Sequence, residues 1–174
     1  MRAAAIIVMG VSGSGKSTIG ALLAEALGWP FADADGFHPA ANVAKMSSGQ
    51  PLTDEDRWPW LDAIAKHIAA ARAVGQPVVV ACSALRRAYR DRLRAGHKDL
   101  VFLHLAGAHA LITDRQAGRL GHFMPPSLMA SQFATLEDPA GEADAVTVSV
   151  QASPEEIVAA ALGRLAQVGV THRS

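Results

Sequence analysis

The run Gly10-Val11-Ser12-Gly13-Ser14-Gly15-Lys16-Ser17 constrains this chain more than any other stretch. It follows the apolar segment Ala3 to Met9, whose unbroken hydrophobicity fits a strand covered on both faces. It opens the segment Thr18 to Leu27, where Ile19, Leu22, Leu23, Ala26 and Leu27 recur at helical spacing. Strand, glycine-rich turn and helix in that order make a phosphate-binding loop. Glycines let the backbone wrap an anion, so that successive N–H groups and the positive end of the helix face the phosphates of a nucleotide. Gly10, Ser12, Gly13, Ser14, Gly15, Lys16, Ser17 and Thr18 are the nucleotide-binding residues this pattern predicts. Lys16 supplies a mobile charge, and the Ser17 hydroxyl suits a Mg2+ ion that bridges the β- and γ-phosphates.

At 174 residues the chain has the size of one domain, and a single domain over 1–174 is expected. A hydrophobic fraction of 50% and a charged fraction of 18% exclude a disordered chain. Lys plus Arg equals Asp plus Glu at 16 each, so no overall field draws the protein to nucleic acid or to an anionic membrane, and neither is expected as a partner. The lone cysteine, Cys82, reads as a small buried residue in a reducing, cytoplasmic protein. No apolar stretch has the length needed to span a bilayer. Arg2 before a short apolar run has the look of a leader, but the run ends in the phosphate loop and is read as its strand.

Beyond the first helix, Gly28 stands where a left-handed cap is wanted, and Trp29 to Ala32 form a short strand that delivers Asp33 and Asp35 at its carboxyl end. Ligands bind at that end in open parallel sheets. Residues 36–61 are dense in Pro, Gly, aromatic and charged residues and read as an ordered, irregular insertion for substrate. Leu61, Ile64, Ala65 and Ile68 carry a helix through about Val74, with Thr53 or Asp54 as its cap. Val78 to Cys82 and Leu100 to Leu105 are buried strands, and Ser83-Ala84-Leu85 turns from the first of them into the basic helix Arg86 to Arg94. A helix from about Ala108 leads to Arg115, Arg119 and the glycine-broken stretch Gly121 to Pro126, so 115–128 is read as a lid; Leu128 to Leu136 is again helical. Ala145 to Val150 is the last strand. Ser153-Pro154-Glu155-Glu156 then starts the closing helix with a cap, a first-position proline and acids in the first turn. Five strands alternating with helices predict a three-layer α/β/α sandwich around a five-stranded parallel sheet.

A phosphate loop alone specifies a nucleotide, not phosphotransfer. The third strand ends in Cys82-Ser83 and not in the acidic residue that a motor or switch ATPase would place there, and no Asn-Lys-x-Asp guanine signature occurs. The chain adds the carboxylates Asp33 and Asp35, which alternate along a strand end, so that one can reach the magnesium shell and the other a substrate hydroxyl. It also adds Arg115 and Arg119, spaced i, i+4 on one helix face, where they would stabilise charge on a transferring phosphoryl group. No His/Cys/Asp spacing suggests a structural metal. His104 reads as a hydrogen-bonded core group, His67, His97, His109 and His172 as surface, and Trp58 and Trp60 as packing anchors.

Several blocks resemble the bacterial-type gluconokinases. They are Asp33-Ala34-Asp35-Gly36-Phe37-His38-Pro39, Asn42, Lys45-Met46, Gly49-Gln50-Pro51-Leu52, Asp54-Glu55-Asp56-Arg57 and Pro59-Trp60-Leu61, followed by Cys82 to Leu85, Tyr89-Arg90-Asp91, Gly121 to Met124, Ser131-Gln132-Phe133 and Thr135-Leu136-Glu137. The resemblance implies a shikimate-kinase-like fold, commonly a homodimer, and ATP-dependent phosphorylation of D-gluconate at the 6-hydroxyl, giving 6-phospho-D-gluconate and ADP. Within it, ATP sits on the phosphate loop, Ser17 and Asp33 support Mg2+, and Lys16, Asp35, Arg115 and Arg119 form the catalytic set, with Asp35 taking the proton of the primary hydroxyl. Gluconate needs a cation for its carboxylate: Arg57 is the first choice, with Lys45, Arg87 and Arg90 as competitors. His38, Ser83, His122 and Gln132 are candidates for its hydroxyls. Ala34, where the family often has glycine, and Arg86, where it usually has lysine, are departures. Phosphorylation of another small hydroxy acid such as shikimate, or a nucleotide-binding regulatory role with little turnover, fits the same loop.

Overall fold

The structure, a computed structural model, describes residues 3–11, 14–50, 52–107 and 134–170. Its strands β1 (Ala5–Met9), β2 (Phe31–Asp33), β3 (Val78–Ala81), β4 (Leu100–Ala106) and β5 (Ala145–Ser149) form one parallel sheet in the order β2-β3-β1-β4-β5. The continuous apolar runs of β1, β3 and β4 have no polar face to show to water, and the fold covers both sides of each. On one face Ile6, Val8, Val79 and Leu103 pack against helices α1 (Lys16–Leu27) and α5 (Pro154–Gln167). On the other, Ile7, Met9, Val80 and Phe102 pack against α3 (Asp54–Ala73) and α4 (Arg87–Arg94). This is the expected three-layer sandwich. Because α1 leaves β1 for one face and α4 leaves β3 for the other, a crevice opens between the carboxyl ends of these neighbouring strands.

Local signals act largely as read. Gly28 takes φ +72° and its N–H reaches the carbonyls of Ala24 and Glu25, closing α1. Ser153 caps α5 by accepting from the Glu156 N–H, with Pro154 at the first helical position. Residues 36–61 are the exception. They hold a 3-10 turn (Ala34–Phe37), helix α2 (Ala40–Ser47) and the first two turns of α3, so the insertion is largely helical and not irregular. Its prolines do not break helices: Pro39 caps α2, and Pro59 is accommodated in the second turn of α3, on the exposed side. A capping box in which the Thr53 hydroxyl accepts from the Asp56 N–H and the Asp56 carboxylate accepts from the Thr53 N–H starts α3.

Candidate active site

The phosphate loop leaves β1 at Gly10, whose φ of +151° and surroundings admit no side chain: a Cβ there would lie 2.8 Å from Ser14 Oγ and 3.0 Å from the Leu105 carbonyl. The Gly10 N–H donates to the Ser83 carbonyl (3.3 Å), which buttresses the loop with the turn after β3. Val11 O accepts from the Ser14 N–H (3.2 Å) and from Lys16 Nζ (3.3 Å), curling the loop back on itself. Gly15, at φ +95°, caps α1 without a side-chain bond, so the first N–H groups of the helix remain available to an anion. Ser14 Oγ is buried without a hydrogen-bond partner among the described residues.

From this loop a line of polar groups runs along the crevice. Ser17 Oγ donates to Asp33 Oδ2 (2.5 Å), and Asp33 Oδ1 accepts from the Asp35 N–H (3.0 Å). A hydroxyl and a carboxylate side by side are the hard oxygen donors that Mg2+ takes, and among the described residues no group of three His, Cys, Asp or Glu forms a protein cage. The donor set therefore fits an ion held partly by phosphates and water. Asp35 does not alternate with Asp33 along the strand as expected. The Asp33 carboxylate caps a 3-10 turn and Asp35 lies within it, exposed.

His38 follows, its ring stacked on Trp60 (4.2 Å between centroids, 13° between planes). The Asn42 amide Nδ2, which can only donate, lies 3.2 Å from His38 Nδ1, so Nδ1 is the acceptor and the proton sits on Nε2. Burial lowers the His38 pKa; the Asp35 charge opposes this and the Arg57 charge adds to it. His38 is thus neutral near pH 7 and within electrostatic reach of both neighbours. Asn42 is held in turn by the Asp56 carbonyl, and Trp60 is buried with its Nε1 donating to the Ala34 carbonyl, so it is a packing anchor as expected. Trp58 meets Tyr89 edge-on at 5.8 Å.

The four cations considered for a substrate carboxylate separate clearly. Lys45 is paired with Asp56 at 2.7 Å, and this bond, with that from the Thr53 N–H, holds the Asp56 carboxyl down to about 2. Arg87 is exposed, and its backbone N–H donates to Glu137 Oε1. Arg90 is a correction. Its side chain is 0% exposed, its Nε and Nη2 grip Glu142, and its Nη1 and Nη2 donate to the carbonyls of Ala84 and Glu137, so it is a core ion and not a substrate ligand. Glu142, which sequence reasoning missed, also accepts from Arg94. Burial alone would raise its pKa, but the two guanidiniums overcome this and leave it lowered. Arg57 is engaged through Nη1 only, to the Leu52 carbonyl (2.8 Å) and the Tyr89 hydroxyl (2.9 Å), while its Nε and Nη2 make no hydrogen bond among the described residues.

Ser83 sits half-buried at the crevice mouth, followed by Ala84 in the left-handed region at φ +44°. The histidine readings need two corrections. His104 is buried, but its Nδ1 has no partner among the described residues, and burial lowers its pKa. His67 packs edge-on against Phe37 at 5.4 Å and is not simply surface; His97 is exposed. Cys82 is buried as expected, its thiol pushed up to about 12 by burial. Ser12, Gly13, Arg115, Arg119, His122, Gln132, the lid range 115–128, His109 and His172 lie outside the described residues.

The chain is similar to known proteins over most of its length. The shikimate kinase family model matches residues 12–165. A probable gluconokinase of Mus musculus is 46% identical, covering 92% of this chain and 96% of its own length. A gluconokinase of Gluconobacter oxydans is 44% identical, covering 88% of this chain and 86% of its own. The crystal structure of a gluconokinase from Sinorhizobium meliloti superposes with a TM-score of 0.88 at 50% identity, covering 97% of this chain and 95% of that one. With a phosphate loop, a Ser17–Asp33 oxygen pair and relatives of this identity across most of its length, the chain belongs to the gluconokinase family of shikimate-kinase-like P-loop kinases.

Proposed function

We propose that this protein transfers the γ-phosphoryl group of ATP to the 6-hydroxyl of D-gluconate. The observation that carries this reading is the bonded set Ser17, Asp33 and Asp35 beside the phosphate loop, with His38 feeling the charges of both Asp35 and Arg57, a guanidinium with an open edge. Its relatives' names supply the acid: two are named gluconokinase and a third probable gluconokinase. In this reading Lys16 and the N–H groups of the loop hold the nucleotide phosphates. Ser17 and Asp33 would hold Mg2+, which supplies charge neutralisation at the β- and γ-oxygens. Asp35 orients the primary hydroxyl and accepts its proton as the new phosphorus–oxygen bond forms and the bond to the β-phosphate oxygen breaks. Positioning dominates, because the transition state is loose and asks little of a base. His38 offers Nε2–H to a substrate hydroxyl, Ser83 a second polar group, and Arg57 takes the carboxylate. Arg115 and Arg119 stabilise the transferring group, and 115–128 excludes water. A single-domain cytoplasmic homodimer without nucleic-acid or membrane partners completes the reading. It is supported by the resemblance, by 16 charges of each sign, and by the finding that no described helix is long and apolar enough to cross a membrane.

The test is ADP release with magnesium-ATP against gluconate, shikimate and related sugar acids, with the phosphorylated position read by NMR. Turnover on gluconate with phosphate on the terminal oxygen is expected. Turnover on shikimate alone would discard the pocket assignment, and ATP binding without turnover on any acid would discard the kinase reading.

A further inference from the structure

We infer that Tyr89 and Asp54 are positioning residues for Arg57, and that they hold its guanidinium so that the Nε/Nη2 edge faces the acid group of the substrate. This deepens the proposed function and rests on its assignment of Arg57. Tyr89 comes from α4 and is buried; its hydroxyl donates to Asp54 Oδ1 (2.5 Å) and accepts from Arg57 Nη1 (2.9 Å). A phenol has one proton, so its direction settles everything downstream. With the proton on the side of Asp54, a lone pair faces Arg57; turned round, O–H would meet N–H. Asp54 forms an ion pair with Arg57, its Oδ1 3.9 Å from Nη1, but that is beyond hydrogen-bond distance, so the bonds that orient the guanidinium run through the phenol. Burial, followed by the bond to Asp54, pushes the phenol up to about 12, so the proton that sets the direction stays in place.

The geometry leaves a defined edge. Nη1 has two protons, and the Leu52 carbonyl and the Tyr89 hydroxyl take both. Nε and Nη2 remain, and their parallel N–H groups are the fork that grips a carboxylate with two bonds. The pivot is itself braced: Trp58 stands edge-on to the Tyr89 ring, and Arg57 Cζ lies 5.1 Å from that ring's centroid. Arg86 Nη1, 3.8 Å from Asp54 Oδ2, is the second cation at this carboxylate, and it shares the charge without touching the phenol-side oxygen. A long, flexible side chain ordered before the substrate arrives has less freedom to lose on binding, so the benefit falls on acid affinity and not on phosphoryl transfer.

The experiment is a kinetic comparison of Tyr89→Phe, Asp54→Ala, Arg57→Gln and the double variant Arg57→Gln/Tyr89→Phe. Thermal melts and the KM for ATP are measured alongside. Tyr89→Phe should raise the KM for gluconate about tenfold, the size expected for one hydrogen bond to a charged group, with kcat and the KM for ATP within about twofold of the parent. Asp54→Ala, which frees the phenol to rotate, should move the same parameter in the same direction. In the Arg57→Gln background Tyr89→Phe should add nothing further. An unchanged gluconate KM in Tyr89→Phe and Asp54→Ala, beside a raised one in Arg57→Gln, overturns the positioning role. So does a full additional effect in the double variant, which would mean that Tyr89 acts alone. An unchanged gluconate KM in Arg57→Gln itself overturns the assignment of Arg57, a separate failure. A loss of kcat and of ATP affinity together with a lowered melt would mark Tyr89 as structural only.

Discussion

Glu142→Gln isolates what the buried ion cluster contributes. The change keeps the shape of the side chain and removes one charge from a carboxylate whose side chain is 7% exposed and which faces the fully buried Arg90 at 2.7 Å. Arg90 keeps the carbonyls of Ala84 and Glu137 but loses its only ionic partner among the described residues, while Arg94 retains Asp144 and Asp91. Stranding a buried charge in this way costs about 3–5 kcal/mol, a large part of the ~5–15 kcal/mol that holds a domain folded. For a chain of this size each kcal/mol moves the midpoint by about 2–4 °C, so the melt should fall by roughly 6–20 °C. The double variant Arg90→Met/Glu142→Gln should lose less than the sum of the single changes, because no stranded charge remains. The pH dependence has a definite sign. The folded Glu142 pKa is lowered, so its contribution is complete above the unfolded value of about 4.3 and is lost as pH falls from there through the folded value. Wild type and Glu142→Gln should therefore converge in strong acid and differ fully at pH 7. Differential scanning calorimetry across that range reads both effects. A variant that melts within about 2 °C of wild type at pH 7, a shift of about 1 kcal/mol or less, would refute the claim that Arg90 depends on this carboxylate.

Three further outcomes are expected. Gly10→Ala forces a methyl group against Ser14 Oγ and the Leu105 carbonyl at a backbone angle costing about 1–3 kcal/mol, so the KM for ATP should rise about tenfold or more in steady-state kinetics. Asp35→Asn should lower kcat by about 10²–10⁴ while a nucleotide titration shows ATP affinity within about threefold, and unchanged turnover would remove Asp35 from the mechanism. Cys82, buried with a thiol pushed up to about 12, should resist alkylation at pH 8 in the native protein and react only at the rate of global opening, as mass spectrometry of timed labelling would read.

What could be read before the structure was what is encoded locally. The phosphate loop needs only neighbours in sequence, and Gly28 and Ser153 act within one turn of their helices. The parallel sheet was legible because β1, β3 and β4 lack any polar face. Two misreadings concern local signals that were outweighed. Thr53 was legible as a cap of α3 and is one, in a capping box with Asp56, yet the density of prolines and glycines around it suggested irregular chain over 36–61. Asp33 two residues before Asp35 can turn the chain on its own carboxylate, which is what moves Asp35 off the strand.

The allocation of arginines was not legible, and the reason is physical. Arg57 and Arg90 share charge and apparent suitability for an acid. Arg90 is excluded by Glu142, which follows it by 52 residues and meets it only because α4 lies beside the entry to β5. Arg57 is half-satisfied by Tyr89, a residue whose hydroxyl is directed by a carboxylate on the same helix as Arg57. Long-range pairing decides which cations are taken: Lys45, Arg72, Arg90 and Arg94 each meet a carboxylate at 2.8 Å or less. In the proposed reading Arg57 is the cation left for the substrate: uncharged oxygens of Leu52 and Tyr89 take both protons of Nη1, and the nearest carboxylate among the described residues, Asp54, stands 3.9 Å away without a hydrogen bond to it.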